Sequence, residues 1–152
     1  MVVDEGGASQ TFWQALIDTG RREQFPCSMV TRCSVLFNDV VPQVHGHEAM
    51  AEGGRLEAGI DVHLATGTIR CFWWGERRGA AVPALLVDTA RTLRTAAGHV
   101  NGHFVIESCP VPVKRTLDVW GPTGPDLAVM KRLKELFDPA RTLSPGRFVG
   151  GI

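Results

Sequence analysis

The sequence predicts an α+β domain built around four short strands and two helices in the order β-α-β-β-α-β. Three observations carry that prediction. Apolar residues recur at helical spacing over 11–22, 83–97 and 126–137. Short β-rich runs bounded by glycine, proline or polar turns lie between these windows. Hydrophobic residues make up 44% of the 152 residues, enough for one sizeable core, and no apolar run approaches the roughly 18 residues of a membrane-spanning helix.

The opening residues, 1–10, are polar and acidic and are expected to be mobile; they do not read as a signal peptide. Residues 11–22 read as a helix with Phe12, Trp13, Leu16 and Ile17 on one side. Residues 27–37 are β-rich through Val30, Val35, Leu36 and Phe37. A weak helix follows over 40–53, capped near Asn38 or Asp39, with Pro42 tolerated in its first turn. Residues 59–64 and 68–74 form two strands joined by Ala65-Thr66-Gly67, where Gly67 permits positive φ. The clearest helix spans 83–97, with Leu85, Leu86, Ala90 and Leu93 as its apolar stripe and Gly98 as its stop. Residues 102–107 read as the fourth strand. Pro110 and Pro112 exclude a central strand over 109–113. The last helix carries Leu127, Met130, Leu133, Leu136 and Phe137 on one face, and Asp138-Pro139 ends it.

This succession is the split βαβ, ferredoxin-like order, which places an antiparallel four-stranded sheet under two helices and leaves its other face free. Alternation puts Arg32, His63, Arg70 and one of Trp73 and Trp74 on that face; Trp74 shares parity with Arg70, and Trp73 does not. The predicted organisation is a mobile start at 1–10, a domain over 11–143 and a tail over 144–152. The tail, with Phe148, Val149 and Ile152 spaced among glycines, has too little apolar content for a core of its own and needs a surface to lie on.

Net charge is zero with a pI near 7.0, which argues against bulk attraction to nucleic acid or anionic membranes. Cys27, Cys33, Cys71 and Cys109 form no C-x-x-C pair and read as buried free thiols of a reducing compartment. His45-Gly46-His47 reads as solvent-facing. There is no G-x-G-x-x-G, P-loop or nucleophile elbow.

The C-terminal run from Asp126, with Phe137-Asp138-Pro139 and then Ser144-Pro145-Gly146-Arg147, resembles the ending of FAD-linked oxidases of the vanillyl-alcohol oxidase type. It is most similar to the FAD-binding subunit of bacterial glycolate oxidase, where the pattern is F-D-P followed by N-P-G-R or N-P-G-K; Ser144 stands in place of that asparagine. His63 to Arg70 is similar to the family segment H-A-G-D-G-N-x-H, with His63 and Gly67 matching and Arg70 replacing the second, metal-binding histidine. Glu107-Ser108 and Lys114 are similar to E-H-G-x-G-x-x-K, with Ser108 replacing another ligand. Arginine has no lone pair for a metal but can clamp a carboxylate.

The resemblance implies the C-terminal substrate, or cap, domain of a flavin-dependent oxidoreductase acting on a 2-hydroxy acid of the glycolate or lactate type. FAD would be held mainly by a separate flavin-binding domain or subunit, on which the tail would dock. An iron–sulfur electron-transfer subunit is a further implied partner, and the setting is cytoplasmic or peripheral to a membrane through partner subunits. His63 is the candidate general base. Arg70, Arg32, Trp74, Glu107 and Lys114 are candidate substrate contacts, Arg147 is a cofactor-side contact, and no metal is expected. The alternative is a non-enzymatic ferredoxin-like module that dimerises or binds a small ligand through its sheet. Arginine and histidine pointing into one cleft favour the first reading; an apolar sheet face favours the second.

Overall fold

The computed structural model describes residues 7–17, 27–53, 56–75 and 82–152. Its elements are α1 (Gly7–Ile17), β1 (Met29–Ser34), α2 (Val40–Gly53), β2 (Leu56–His63), β3 (Thr68–Gly75), α3 (Val82–His99), β4 (His103–Ser108), α4 (Val111–Thr116) and α5 (Leu127–Phe137). The four strands form one antiparallel sheet in the spatial order β2-β3-β1-β4. The α+β class and the four-stranded sheet follow the expectation.

Alternation along the strands sorts the sheet into two faces. On one face Met29, Thr31 and Cys33 of β1, Ile69, Cys71 and Trp73 of β3, and Phe104 and Ile106 of β4 are buried. Against them pack α2 and α3, which also touch each other, with Val40 of α2 and Leu86, Ala90, Leu93 and Ala97 of α3 in the same core. Trp73, fully buried, donates from Nε1 to Thr31 Oγ1 at 3.0 Å. Burying a ring of that size removes enough apolar surface for roughly 4–6 kcal/mol of transfer free energy, and the hydroxyl satisfies the indole N–H that burial would otherwise strand.

Gly67 is left-handed at φ +62, and a Cβ there would lie 2.0 Å from the carbonyl oxygen of Val35. Its own carbonyl accepts from Val35 N–H at 2.9 Å. The turn between β2 and β3 is thereby stitched to the end of β1, and only glycine fits.

Several expectations are corrected. α1 begins at Gly7, four residues before the predicted start, while residues 1–6 and 18–22 lie outside the described residues. α3 runs through Gly98 to His99, and the left-handed residue that turns the chain is Asn101 at φ 54; asparagine tolerates that region better than most residues. The proline-bearing stretch becomes the short helix α4, with Pro112 in its first turn, where no amide donor is needed.

His47 is not solvent-facing. It is fully buried, its ring stacked on Trp73 at 6.2 Å between centroids, with Nδ1 2.7 Å from Gln43 O and Nε2 without a hydrogen bond among the described residues. The expected free face of the sheet is only partly open: Phe72, Val105 and Val30 at its centre are 3%, 4% and 7% exposed, while Arg32 and Arg70 reach solvent.

Burial disfavours the charged imidazolium and pushes the His47 pKa below its ordinary value. The unfolded chain therefore binds the extra proton as pH falls through about 6.5, and stability present above that pH is lost below it. Urea unfolding from about pH 7.5 to 5.5 should show a falling midpoint, and His47→Phe should flatten that slope. Equal slopes in both proteins would show that His47 does not titrate on unfolding.

Candidate functional site

The second face of the sheet can be assembled row by row from the register. His63 pairs with Thr68, Thr68 with Ser34, and Ser34 with His103, which gives a polar row across all four strands. The next row holds Asp61, Arg70, Arg32 and Val105. Gly59, Phe72 and Val30 form the third, and Glu57 and Trp74 lie at the far end. Arg32, Arg70, His63 and Trp74 therefore share this face, and Trp73 is the core tryptophan.

Arg32 and Arg70 are direct partners on adjacent strands. Like charges in that position repel and destabilise the pair. One carboxylate lies between them. Glu107 Oε2 accepts from Arg70 Nε at 2.8 Å and lies 2.7 Å from Arg70 Nη2, while Oε1 is 3.5 Å from Arg32 Nε.

Alternation along β4 puts Glu107 on the same face as His103 and Val105, and the ladder is irregular at this point. Val30 pairs with Ser108 and Thr31 with Ile106, so Glu107 is the extra residue between them. Bulges cost one ladder position, and they recur beside functional sites. The neighbouring Ile106 N–H donates to Val119 O at 2.8 Å.

The cluster is half open to solvent: the side chains of Arg32, Arg70 and Glu107 are 47%, 36% and 27% exposed. Glu107 takes one edge of the Arg70 guanidinium, leaving the Nη1 side for a second acceptor. Arg70 also lies over the Phe72 ring at 5.3 Å. Phe72 stacks on Trp74 at 6.4 Å, and the Trp74 ring covers Gly59, where a Cβ would sit 3.0 Å from it.

The other predicted residues are distributed differently. His63 is exposed at the turn, with Nδ1 2.9 Å from Thr66 Oγ1; that hydroxyl is also 2.9 Å from Thr68 Oγ1. Its strand position is diagonal to Arg70, about 7–8 Å away at the backbone, but Arg70 leans the other way, toward Phe72 and Glu107. Lys114 lies on α4, which packs against α3 and sends Val113 into the core. It is a helix-side residue whose charge partly offsets the burial that raises the Cys109 pKa. Arg147 lies in the exposed tail, where its N–H donates to Ser144 O at 3.2 Å.

Sequence reasoning missed Phe72, which strand parity alone could have placed beside Arg70. It also missed Asp61, which counting back from the Gly67 turn sets opposite Arg70. The Arg32–Arg70 pairing and the bulge depend on non-local strand order and leave no local signal.

The cysteine thiols are held protonated. Burial pushes Cys33 up to about 11 and Cys71 up to about 12, and it also raises Cys27 and Cys109. None has the depressed pKa of an activated nucleophile. Among the described residues no cluster of histidine, cysteine and carboxylate side chains could hold a metal ion. No helix among them is long and apolar enough to cross a membrane. Compared with protein-family models, curated proteins and solved structures, the chain matches none.

Removing the bridging carboxylate leaves two guanidiniums face to face. Glu107→Gln should lower stability by about 0.5–1 kcal/mol, the range for exposed pairs, and Arg32→Met in the same background should restore most of that loss. A double-mutant cycle by urea unfolding measures the coupling. A coupling near zero would show that Glu107 does not relieve the arginine pair.

Proposed function

We propose that this chain is the substrate-side domain of an FAD-linked oxidoreductase that oxidises a 2-hydroxy acid, with the flavin held by a partner domain or subunit. The observation that carries the reading is the facing arginine pair with Glu107 between them. Asp61 and Glu107 balance the two guanidiniums in charge, but among the described residues Arg70 Nη1 and most of the Arg32 guanidinium keep unused donors on a solvent-reachable part of the sheet. That arrangement suits a carboxylate ligand. The sequence likeness to the glycolate oxidase flavin subunit supplies the reaction class.

In this reading Arg70 and Arg32 bind the substrate carboxylate, and Glu107 holds their planes in position. With Nδ1–H donated to the Thr66 hydroxyl, His63 presents the Nε2 lone pair as the base that takes the hydroxyl proton. Trp74 and Phe72 supply the apolar wall that excludes water once the partner closes over the sheet. Bound flavin would accept the hydride. This chain's contribution to holding it is confined to the tail, where the exposed Arg147 guanidinium can reach a neighbouring domain. A charged row is also a poor surface for sheet-to-sheet self-pairing, which favours ligand binding over the dimerisation alternative.

The test is flavin-linked dye reduction by this chain together with its flavin domain, using glycolate and lactate. Arg70→Met should raise KM and lower kcat, costing about 2–5 kcal/mol in kcat/KM where the closed site is desolvated. Arg70→Lys should recover only part of it, because ammonium lacks the planar fork. Unchanged kinetics in both variants, or no 2-hydroxy acid oxidised by a folded, flavin-loaded assembly, would overturn the proposal.

A further inference from the structure

The C-terminal segment carries a second concave site, remote in sequence from the arginine pair. A cavity of about 470 Å³ lies between α5 and the tail, lined by Lys131, Lys134, Glu135, Arg141, Gly146 and Gly151 among others. Lys134 is committed to structure: its Nζ lies 2.6 Å from Asp138 Oδ2 and donates to Leu143 O at 2.7 Å. Lys131 and Arg141 form no ion pair among the described residues. Glu135 is the one acidic side chain in the lining, against the two uncommitted cations Lys131 and Arg141.

The backbone here is unusual. Arg141 and Ser144 are left-handed at φ 53 and 46, two of the three such non-glycine residues among those described. Backbone of this kind persists only where surrounding contacts enforce it. Asp138 enforces it. Its carboxylate accepts from Thr142 N, Thr142 Oγ1 and Leu143 N at 2.9, 3.1 and 3.0 Å, and with Lys134 these bonds hold it well below the ordinary carboxylate pKa. Gly146 and Gly151 are also left-handed, and a Cβ at either would meet nothing within 4 Å. Both positions leave open space along the tail.

A second, apolar cavity of about 380 Å³ adjoins the first, sharing Lys134 and Ile152 and lined by Met130, Leu133, Leu143 and Phe148. Basic groups in one cavity beside an apolar groove fit a ligand with an anionic head and a hydrocarbon body. Cations from two separate segments, the helix and the turn after it, suit the several oxygens of a tetrahedral head better than one carboxylate edge. We propose that this site binds a phosphate monoester, with its phosphoryl group at Lys131 and Arg141 and its apolar part along Met130, Leu133 and Phe148. This proposal and the oxidoreductase reading use different side chains of the tail, since Arg147, assigned there to the flavin side, lines neither cavity.

Calorimetric titration of the whole chain at constant ionic strength tests it, with hexyl phosphate, inorganic phosphate and hexanol as probes. Hexyl phosphate should bind saturably and at least about tenfold more tightly than inorganic phosphate, with hexanol not binding measurably. Lys131→Gln and Arg141→Gln should each weaken hexyl phosphate at least about fivefold, while Arg132→Gln, the same charge change outside the cavity, should have less than about a twofold effect. Phe148→Ala should erase most of the advantage of the alkyl chain. Binding to vesicles containing phosphatidic acid but not to pure phosphatidylcholine vesicles, lost in Arg141→Gln, would assign the head group to a lipid. Hexyl phosphate binding without vesicle binding would assign it to a free ester. No saturable hexyl phosphate binding, or equal losses in Arg132→Gln and Arg141→Gln, would overturn the proposal.

Discussion

Everything on the candidate face depends on the alternation of one central strand. β3 turns Ile69, Cys71 and Trp73 into the core and Arg70, Phe72 and Trp74 out of it. A slip of one residue would place a guanidinium under α2 and α3 and a tryptophan outside, at a cost far above the stability of a domain this size. Trp73, hydrogen-bonded to Thr31 on the neighbouring strand and stacked on His47 of α2, locks the register from the core side. Gly67 locks it from the turn, where the carbonyl of Val35 leaves no room for a side chain. Once that register is set, Arg70 must face Arg32.

The repulsion built into that pairing is the reason the site is informative. Folding alone would be served better by a neutral or oppositely charged pair. Here the compensation comes from Glu107 of β4, which alternation sets on the same face as Val105, beside an irregularity in the ladder. Stability is sacrificed locally, and the chemical result is a pair of oriented donors with part of their capacity unused. The C-terminal segment repeats the theme in another form. Asp138 gathers four donors to hold a turn that contains left-handed Arg141, and α5 leaves Leu136 and Phe137 71% and 77% exposed. The tail partly finds a surface on its own chain: Phe148 packs edge-on to Trp120 at 5.1 Å, and Gly150 lies against Leu127. The remaining apolar face of α5 has no cover among the described residues, which fits a segment that acts in contact with something else.

The elements were legible where the signal was local. The α2 boundaries, the β2–β3 turn at Gly67 and the separation of Trp73 from Trp74 all follow from proline and glycine chemistry and from two-residue alternation. His47 was misplaced because a histidine in a helix with little apolar patterning gives no sign of its burial; Trp73, which covers it, comes from a distant strand. Gly98 misled because a glycine within a helix resembles a stop, whereas the turn was made by Asn101. Arg32, Arg70 and Trp74 were placed on the correct face by parity, and Glu107 was singled out by likeness. What joins Glu107 to the arginines is the order of the strands, which is a tertiary fact. Lys114 was grouped with them by the same likeness and lies instead on a helix packed against α3.

The central claim is that Arg32 and Arg70 form one carboxylate-binding unit, and the most direct measurement observes their guanidiniums. Arginine Nε–H resonances can be followed by NMR while glycolate is added at constant ionic strength, with ethylene glycol and chloride as controls. The account predicts that the Arg32 and Arg70 signals shift together and saturate with glycolate, in the millimolar range expected of a half-exposed site, and stay fixed with the diol. Shifts that are absent, or that chloride reproduces in full, would contradict it.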